Sequence, residues 1–97
     1  MKIAVIDFET ADEGADSACA LGVVIVSSGE VVHKESFLIK PPRQNFVFTY
    51  IHGITWSDVK KKPTFQEYIP KINTLLEGVD YIAAHNAGFD RKVLLTC

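Results

Sequence analysis

Ile3-Ala4-Val5-Ile6-Asp7-Phe8-Glu9-Thr10 is the stretch whose reading decides the fold. Four apolar residues run without interruption and are followed by acids at Asp7 and Glu9. A short apolar run with β-branched side chains, closed by polar residues, reads as a buried central strand. Side chains two apart on a strand share a face, so Asp7 and Glu9 project together while Phe8 projects opposite. Their Cα atoms then lie roughly 7 Å apart. Two carboxylates leaning together from that distance suit one hard, oxygen-seeking cation. Taken alone, such a pair is better explained as solvated acids where a strand leaves the core.

Outward from this strand the pattern stays β for the first half of the chain. Asp12 to Ser17 is a polar turn, and Cys19 to Val26 reads as a second apolar strand. Ser27-Ser28-Gly29-Glu30 is a short hairpin connection. Val31 to Ile39 alternates as a third strand, which Pro41-Pro42 stops. These three strands make an antiparallel meander.

The second half changes character. Residues 41–53 form an irregular connection bearing Phe46, Phe48 and Tyr50. Thr55 or Ser57 caps a short helix that ends before Pro63. Thr64-Phe65-Gln66-Glu67 is a capping box opening a helix through Leu76, with Gly78 as its stop. Phe65, Ile69, Ile72, Leu75 and Leu76 keep a helical spacing along it, and Pro70 bends it slightly. Tyr81 to Ala84 reads as a short buried strand. Asn86 suits the N-cap of a last helix that carries Phe89, Val93 and Leu94 inward. A helix crossing over between the strands at Ile3 and Tyr81 makes them parallel. The fold class is therefore α/β: a mixed sheet built from a three-strand meander and then helix, strand and helix.

Composition bounds the possibilities. The chain has 97 residues, 47% of them hydrophobic and 23% charged, which suits one small globular domain. No apolar run is long enough to cross a membrane as a helix, and the start lacks a signal-peptide pattern, so a cytoplasmic protein without a membrane partner is expected. Cys19 and Cys97 are too few for a disulfide framework or a zinc site and read as reduced thiols. The formal net charge of −2 argues against a pure nucleic-acid-binding module. It argues far less against an enzyme whose metal ions offset the charge between its carboxylates and a phosphate. Lys60-Lys61-Lys62 is the one dense basic run, explained equally by a solvated helix end and by a phosphate contact.

A third acid changes the weight of the first two. Asn86 and Asp90 are four apart, on one face of the last helix, with Asp90 one turn in. If the strands at Ile3 and Tyr81 are parallel neighbours, their carboxyl ends open at one sheet edge, where open α/β sheets bind ligands. Asp7, Glu9 and Asp90 then converge from elements far apart in sequence. In isolation Asp90 is a helix-surface acid beside Arg91 and Lys92. A flavodoxin-like small-molecule domain fits less well, because the meander is antiparallel and no Gly-rich phosphate loop is present.

Ile6-Asp7-Phe8-Glu9-Thr10 resembles the first motif of the DEDD superfamily of 3′-5′ exonucleases, and His85-Asn86-Ala87-Gly88-Phe89-Asp90 resembles its second. Between them, Tyr50-Ile51-His52-Gly53-Ile54-Thr55 is similar to the segment preceding the helices in relatives of the DNA polymerase III epsilon subunit, the subgroup with a histidine in its third motif. Ser17-Ala18-Cys19 also fits stand-alone bacterial members. The resemblance runs from about Ile3 to the end of the chain and implies a ribonuclease H-like fold.

It also implies a mechanism. Asp7 bridges two divalent ions, Mg²⁺ or Mn²⁺, Glu9 holds one of them, and Asp90 completes the cluster partly through water. Thr10 and His52 are the implied nucleotide-binding residues, with a structural role for His52 equally open; Phe48 and Tyr50 either stack on a base or pack in the core. His33 and His85 read as structural or surface residues. The implied substrate is the single-stranded or frayed 3′ end of DNA or RNA, with DNA favoured. A DNA polymerase and a second copy of the chain, paired through an exposed sheet edge, are candidate partners. The family's third motif, a histidine base and a last aspartate, belongs downstream of Asp90, and nothing follows Cys97. Residues 1–97 are therefore expected to be the N-terminal portion of one exonuclease domain, truncated before that motif and poorly active alone. The other open reading is a catalytically inactive, nucleic-acid-binding remnant of the same fold.

Overall fold

The computed structural model describes residues 1–84 together with Asp90 and Val93. Strand β1 (Lys2–Thr10) is central, as its apolar run demands. It pairs antiparallel with β2 (Ala18–Ser27) and parallel with β4 (Tyr81–Ala84), while β3 (Glu30–Leu38) pairs antiparallel with β2. The sheet order is β3-β2-β1-β4. The β2–β3 hairpin turns on Ser28 and Gly29, both with positive φ, as a two-residue connection between right-twisted strands requires.

Three helices lie between β3 and β4. The one-turn α1 (Thr49–His52) falls within the segment expected to be irregular and ends on Gly53 in the left-handed conformation. Between Thr55 and Ser57 as caps for the next helix, the structure selects Thr55: α2 (Trp56–Val59) opens with a Thr55–Asp58 capping box. The expected Thr64–Glu67 box opens α3 (Phe65–Leu75), with the Glu67 amide donating to Thr64 Oγ1 at 3.3 Å. Pro70 sits inside this helix, and Thr74 Oγ1 donates to its carbonyl at 3.0 Å.

One face of the sheet holds the core. Ala4, Ile6 and Phe8 of β1, Leu21, Val23 and Ile25 of β2, and Phe37 of β3 pack against Phe65 and Ile72 of α3, with Val93 in the same cluster. Phe8 meets Phe65 at 6.1 Å between ring centroids. Two expectations about side chains need correction. Ile69 is 38% exposed, and Tyr68 takes the inward role instead, with its ring 5.1 Å from Phe37 and its hydroxyl donating to the Leu38 carbonyl. Helical spacing admits either neighbour, and only Tyr68 has a polar tip that reaches the Leu38 carbonyl at the end of β3. Strand β4 is not buried: Tyr81 is 61% and Ile82 51% exposed, because β4 is the sheet's outer strand among the described residues. Asn86, Phe89 and Leu94, assigned above to the last helix, lie outside the described residues, as do His85 and Cys97. Asp90 and Val93 are helical.

Candidate active site

The expected carboxylates stand at the carboxyl end of the parallel pair. Among the described residues, pairing between β1 and β4 runs from Ile3–Tyr81 to Ile6–Ala84. Beyond Ile6, the side of β1 that β4 lined has no strand partner among the described residues, and the Phe8 amide would be an orphan donor inside the fold. Asp90 meets it: Oδ1 accepts the Phe8 N–H at 3.0 Å across 82 residues of sequence. Asp90 is 0% exposed and Phe8 3%. The acid of the second motif is therefore anchored to the residue between the two acids of the first.

Asp7 and Glu9 point away from the core, as alternation requires: Asp7 is exposed and Glu9 half-buried, between buried Ile6, Phe8 and Thr10. Across the antiparallel pair Asp7 stands opposite Gly22, and Glu9 opposite Ala20. Directly opposed residues share a face, so the floor beside both carboxylates has almost no side-chain relief. The register shifts between Glu9 and Thr10, a bulge of the kind that re-aims side chains at strand ends. The charge of Glu9 reaches the buried Cys19 thiol, which burial first and Glu9 second push up to about 12. Cys19 is a free, buried thiol with no nucleophilic use at neutral pH.

Three oxygen donors at one strand end have the chemistry that a hard divalent cation needs. Among the described residues, however, no three His, Cys, Asp or Glu side chains are drawn into one metal-holding group. Asp7 and Glu9 share an open face, and Asp90 lies beside the backbone between them.

His52 is fixed through both ring nitrogens. The Ile54 amide donates to Nδ1 at 3.0 Å, so in the neutral ring Nε2 carries the proton and donates to the Thr10 carbonyl, also at 3.0 Å. Cys19 Sγ lies 3.9 Å from the same Nε2. These bonds give His52 a structural role, tying α1 to the end of β1. Thr10 is buried, and its carbonyl serves as the tie point. Of the aromatics, Tyr50 is exposed and Phe48 half-buried. His33 is an exposed strand residue bonded to Glu35.

Sequence reasoning missed a second tie. Arg43 Nε and Nη2 bind both oxygens of Asp12, at 2.9 and 3.1 Å, while Nη1 and Nη2 bind both of Asp16, at 3.0 and 2.6 Å. Its hydrogen bonds hold both carboxyls below the ordinary aspartate range. The clamp fastens residues 41–53 onto the β1–β2 turn, where the Ala11 carbonyl accepts the Val47 and Phe48 amides at 2.8 and 3.3 Å. Gly14 belongs to this turn for steric reasons, since a Cβ there would come within 2.6 Å of Arg43 Nη2. A lone arginine after two prolines, opposite a turn with three acids, was the one signal available.

The RNase_T family model, described as an exonuclease, matches residues 4–96. The chain is 36% identical over 93 residues to a PolC-type DNA polymerase III of Thermotoga petrophila, covering 93% of this chain and 7% of that protein. It is 38% identical over 72 residues to exodeoxyribonuclease 10 of Escherichia coli K12, covering 73% of this chain and 31% of that one. Among solved structures, exonuclease X in complex with 5′-overhanging duplex DNA superposes with a TM-score of 0.78 at 33% identity, over 94% of this chain and 52% of that one. Product-bound exonuclease I shares the fold, with a TM-score of 0.77 at 21% identity, over 95% and 24% of the two chains. The chain thus spans about half or less of each of these relatives.

Proposed function

Because the chain belongs to the exonuclease family matched over residues 4–96, we propose that residues 1–97 are the N-terminal portion of one domain that removes nucleotides from the 3′ ends of nucleic acid. The ribonuclease H-like sheet supplies the frame. The observation that carries the proposal is the bond from the Phe8 amide to Asp90, which brings the third acid to the strand end that bears Asp7 and Glu9. DNA is the favoured substrate, because the relatives above 30% identity include an exodeoxyribonuclease and a nuclease bound to duplex DNA.

Asp7, Glu9 and Asp90 are the proposed holders of two Mg²⁺ or Mn²⁺ ions. When bound, such ions lower the pKa of an attacking water and stabilise the leaving 3′ oxygen of a phosphodiester. The protein's own contribution is placement. The low floor at Gly22 and Ala20 leaves room over the acids for a terminal nucleotide, and the Phe8 amide holds Asp90 against rotation. Thr10 and His52 are the proposed nucleotide-binding pair, forming a rigid wall where β1 ends. Both His52 ring nitrogens are engaged, Nδ1 by the Ile54 amide and Nε2 by the Thr10 carbonyl, so general-base work falls to another residue. A DNA polymerase or a second copy pairing along the exposed β4 edge is the proposed macromolecular partner; light scattering over a dilution series tests the second copy.

The decisive assay uses a 5′-labelled single-stranded oligonucleotide under single-turnover conditions with Mn²⁺. A ladder descending from the 3′ end, abolished by Asp7→Ala, is expected. Cuts only in mid-chain, or an unchanged ladder in the variant, would refute the proposal. Binding without any cleavage would favour the inactive remnant.

A further inference from the structure

Residues 40–64, which link β3 to α3, carry five of the ten Lys and Arg side chains and one of the twelve acids. The rest of the chain is correspondingly acidic. Within this link Arg43 is consumed by Asp12 and Asp16, and Asp58 by the Thr55 amide and hydroxyl at 2.9 and 3.0 Å. Lys60, Lys61 and Lys62 are all exposed, and none forms an ion pair with a carboxylate among the described residues. Lys71, by contrast, is paired with Glu35 at 2.8 Å.

The backbone under these lysines is well anchored. Val59 is wholly buried and fixes the end of α2, the Lys60 amide donates to the Trp56 carbonyl, and the Lys62 amide donates to that of Val59, each at 2.9 Å. Pro63 accepts the Lys40 amide at 2.9 Å, which ties the run to the end of β3. Lys40 adds a fourth cation, with Nζ 6.0 Å from the centre of the Trp56 ring. Three lysines without a carboxylate partner among the described residues, on a fixed backbone, form a persistent positive patch on a protein of net charge −2.

Its distance from the site is bounded by the chain. His52 is pinned to the end of β1, and Lys60 follows eight residues later. Four extended residues span at most ~14 Å and one helical turn ~6 Å, so the patch begins within roughly 20 Å of His52. With one phosphate per ~3.4 Å of strand, that is at most about six nucleotides.

We propose that Lys60, Lys61 and Lys62 contact the phosphate backbone of single-stranded nucleic acid upstream of the 3′ terminus, within about six nucleotides of it. This rests on the reading of Asp7, Glu9 and Asp90 as a 3′-end site. Phosphate contacts of this kind are sequence-independent, and on a single strand each releases a counterion worth a slope of about 0.7 in log K against log salt.

The test is fluorescence anisotropy of 5′-labelled 3-mer and 12-mer oligonucleotides across a salt series, with wild type, the triple variant K60A/K61A/K62A and K34A. Lys34 is exposed on β3 and serves as the charge control. The triple variant should flatten the 12-mer's salt slope by about 2 and the 3-mer's by less, while K34A follows wild type. An equal 12-mer slope in wild type and triple variant would overturn the inference while leaving the 3′-end site intact. Wild type binding neither oligonucleotide would overturn both. K60Q/K61Q/K62Q keeps side-chain length and guards against misfolding; it should match the alanine variant.

Discussion

Asp90 has one bond seen in the structure and one proposed task as a metal ligand, and substitution can separate them. Its carboxylate accepts the Phe8 amide in a site where donor and acceptor residues are 3% and 0% exposed, so water does not compete for the bond. Asp90→Ala leaves a buried N–H without its acceptor. The loss of a charge-assisted bond and the orphaned donor together cost about 2–3 kcal/mol. For a domain of this size that lowers Tm by roughly 10–20 °C. Asp90→Asn keeps a side-chain oxygen for the amide and removes only the charge, so its cost should stay near ~1 kcal/mol. Urea unfolding of the three proteins, with and without Mg²⁺, reads both. Metal at about 100 times its Kd should stabilise wild type by about 2.7 kcal/mol and both variants by much less. Equal stability of the Ala and Asn variants without metal would refute the anchoring role. Equal stabilisation of all three by Mg²⁺ would refute the ligand role.

Calorimetric titration of Mn²⁺ should show heat with wild type and none with Asp7→Asn; indistinguishable isotherms would remove Asp7 from the metal site. The Arg43 clamp carries a pH signature. Asp12 and Asp16 are held below their ordinary values by Arg43, so the stability they add is complete above roughly pH 4–5 and lost as pH falls through the depressed values. The gap in urea midpoint between wild type and Arg43→Met should therefore be constant near neutrality and narrow as pH falls below the ordinary aspartate range, and a gap that does not narrow on acidification would rule out the ion pairs as its source. Cys19, raised to about 12, should resist iodoacetamide at pH 8 in a Cys97→Ser background until the chain is unfolded. Rapid labelling of the native protein would show that the thiol is neither buried nor neutral.

The local patterns were legible because their causes are local. The apolar run of β1, the Ser28-Gly29 turn, the Thr64–Glu67 capping box and the Gly78 stop each depend on residues within a few positions of one another. The common face of Asp7 and Glu9 follows from strand pleating alone. The crossover helix also made the parallel pairing of β1 with β4 derivable. Side-chain competition between adjacent positions was not legible: Tyr68 displaced Ile69 because of a carbonyl 30 residues away.

What only the tertiary structure decided is where charge is spent. Arg43 is 31 residues from Asp12, His52 is 42 from Thr10, and Asp90 is 82 from Phe8. No periodicity encodes such pairings, because each depends on which groups the fold brings together from distant parts of the chain. Among the described residues β4 reaches Ala84, level with Ile6, and the Phe8 amide two residues further on takes the Asp90 carboxylate as its acceptor. The sequence by itself determined that three acids sit near strand and helix ends. Only the fold determined that the third is bonded to the backbone between the other two, since a buried donor without a partner costs more than ordering the carboxylate that meets it.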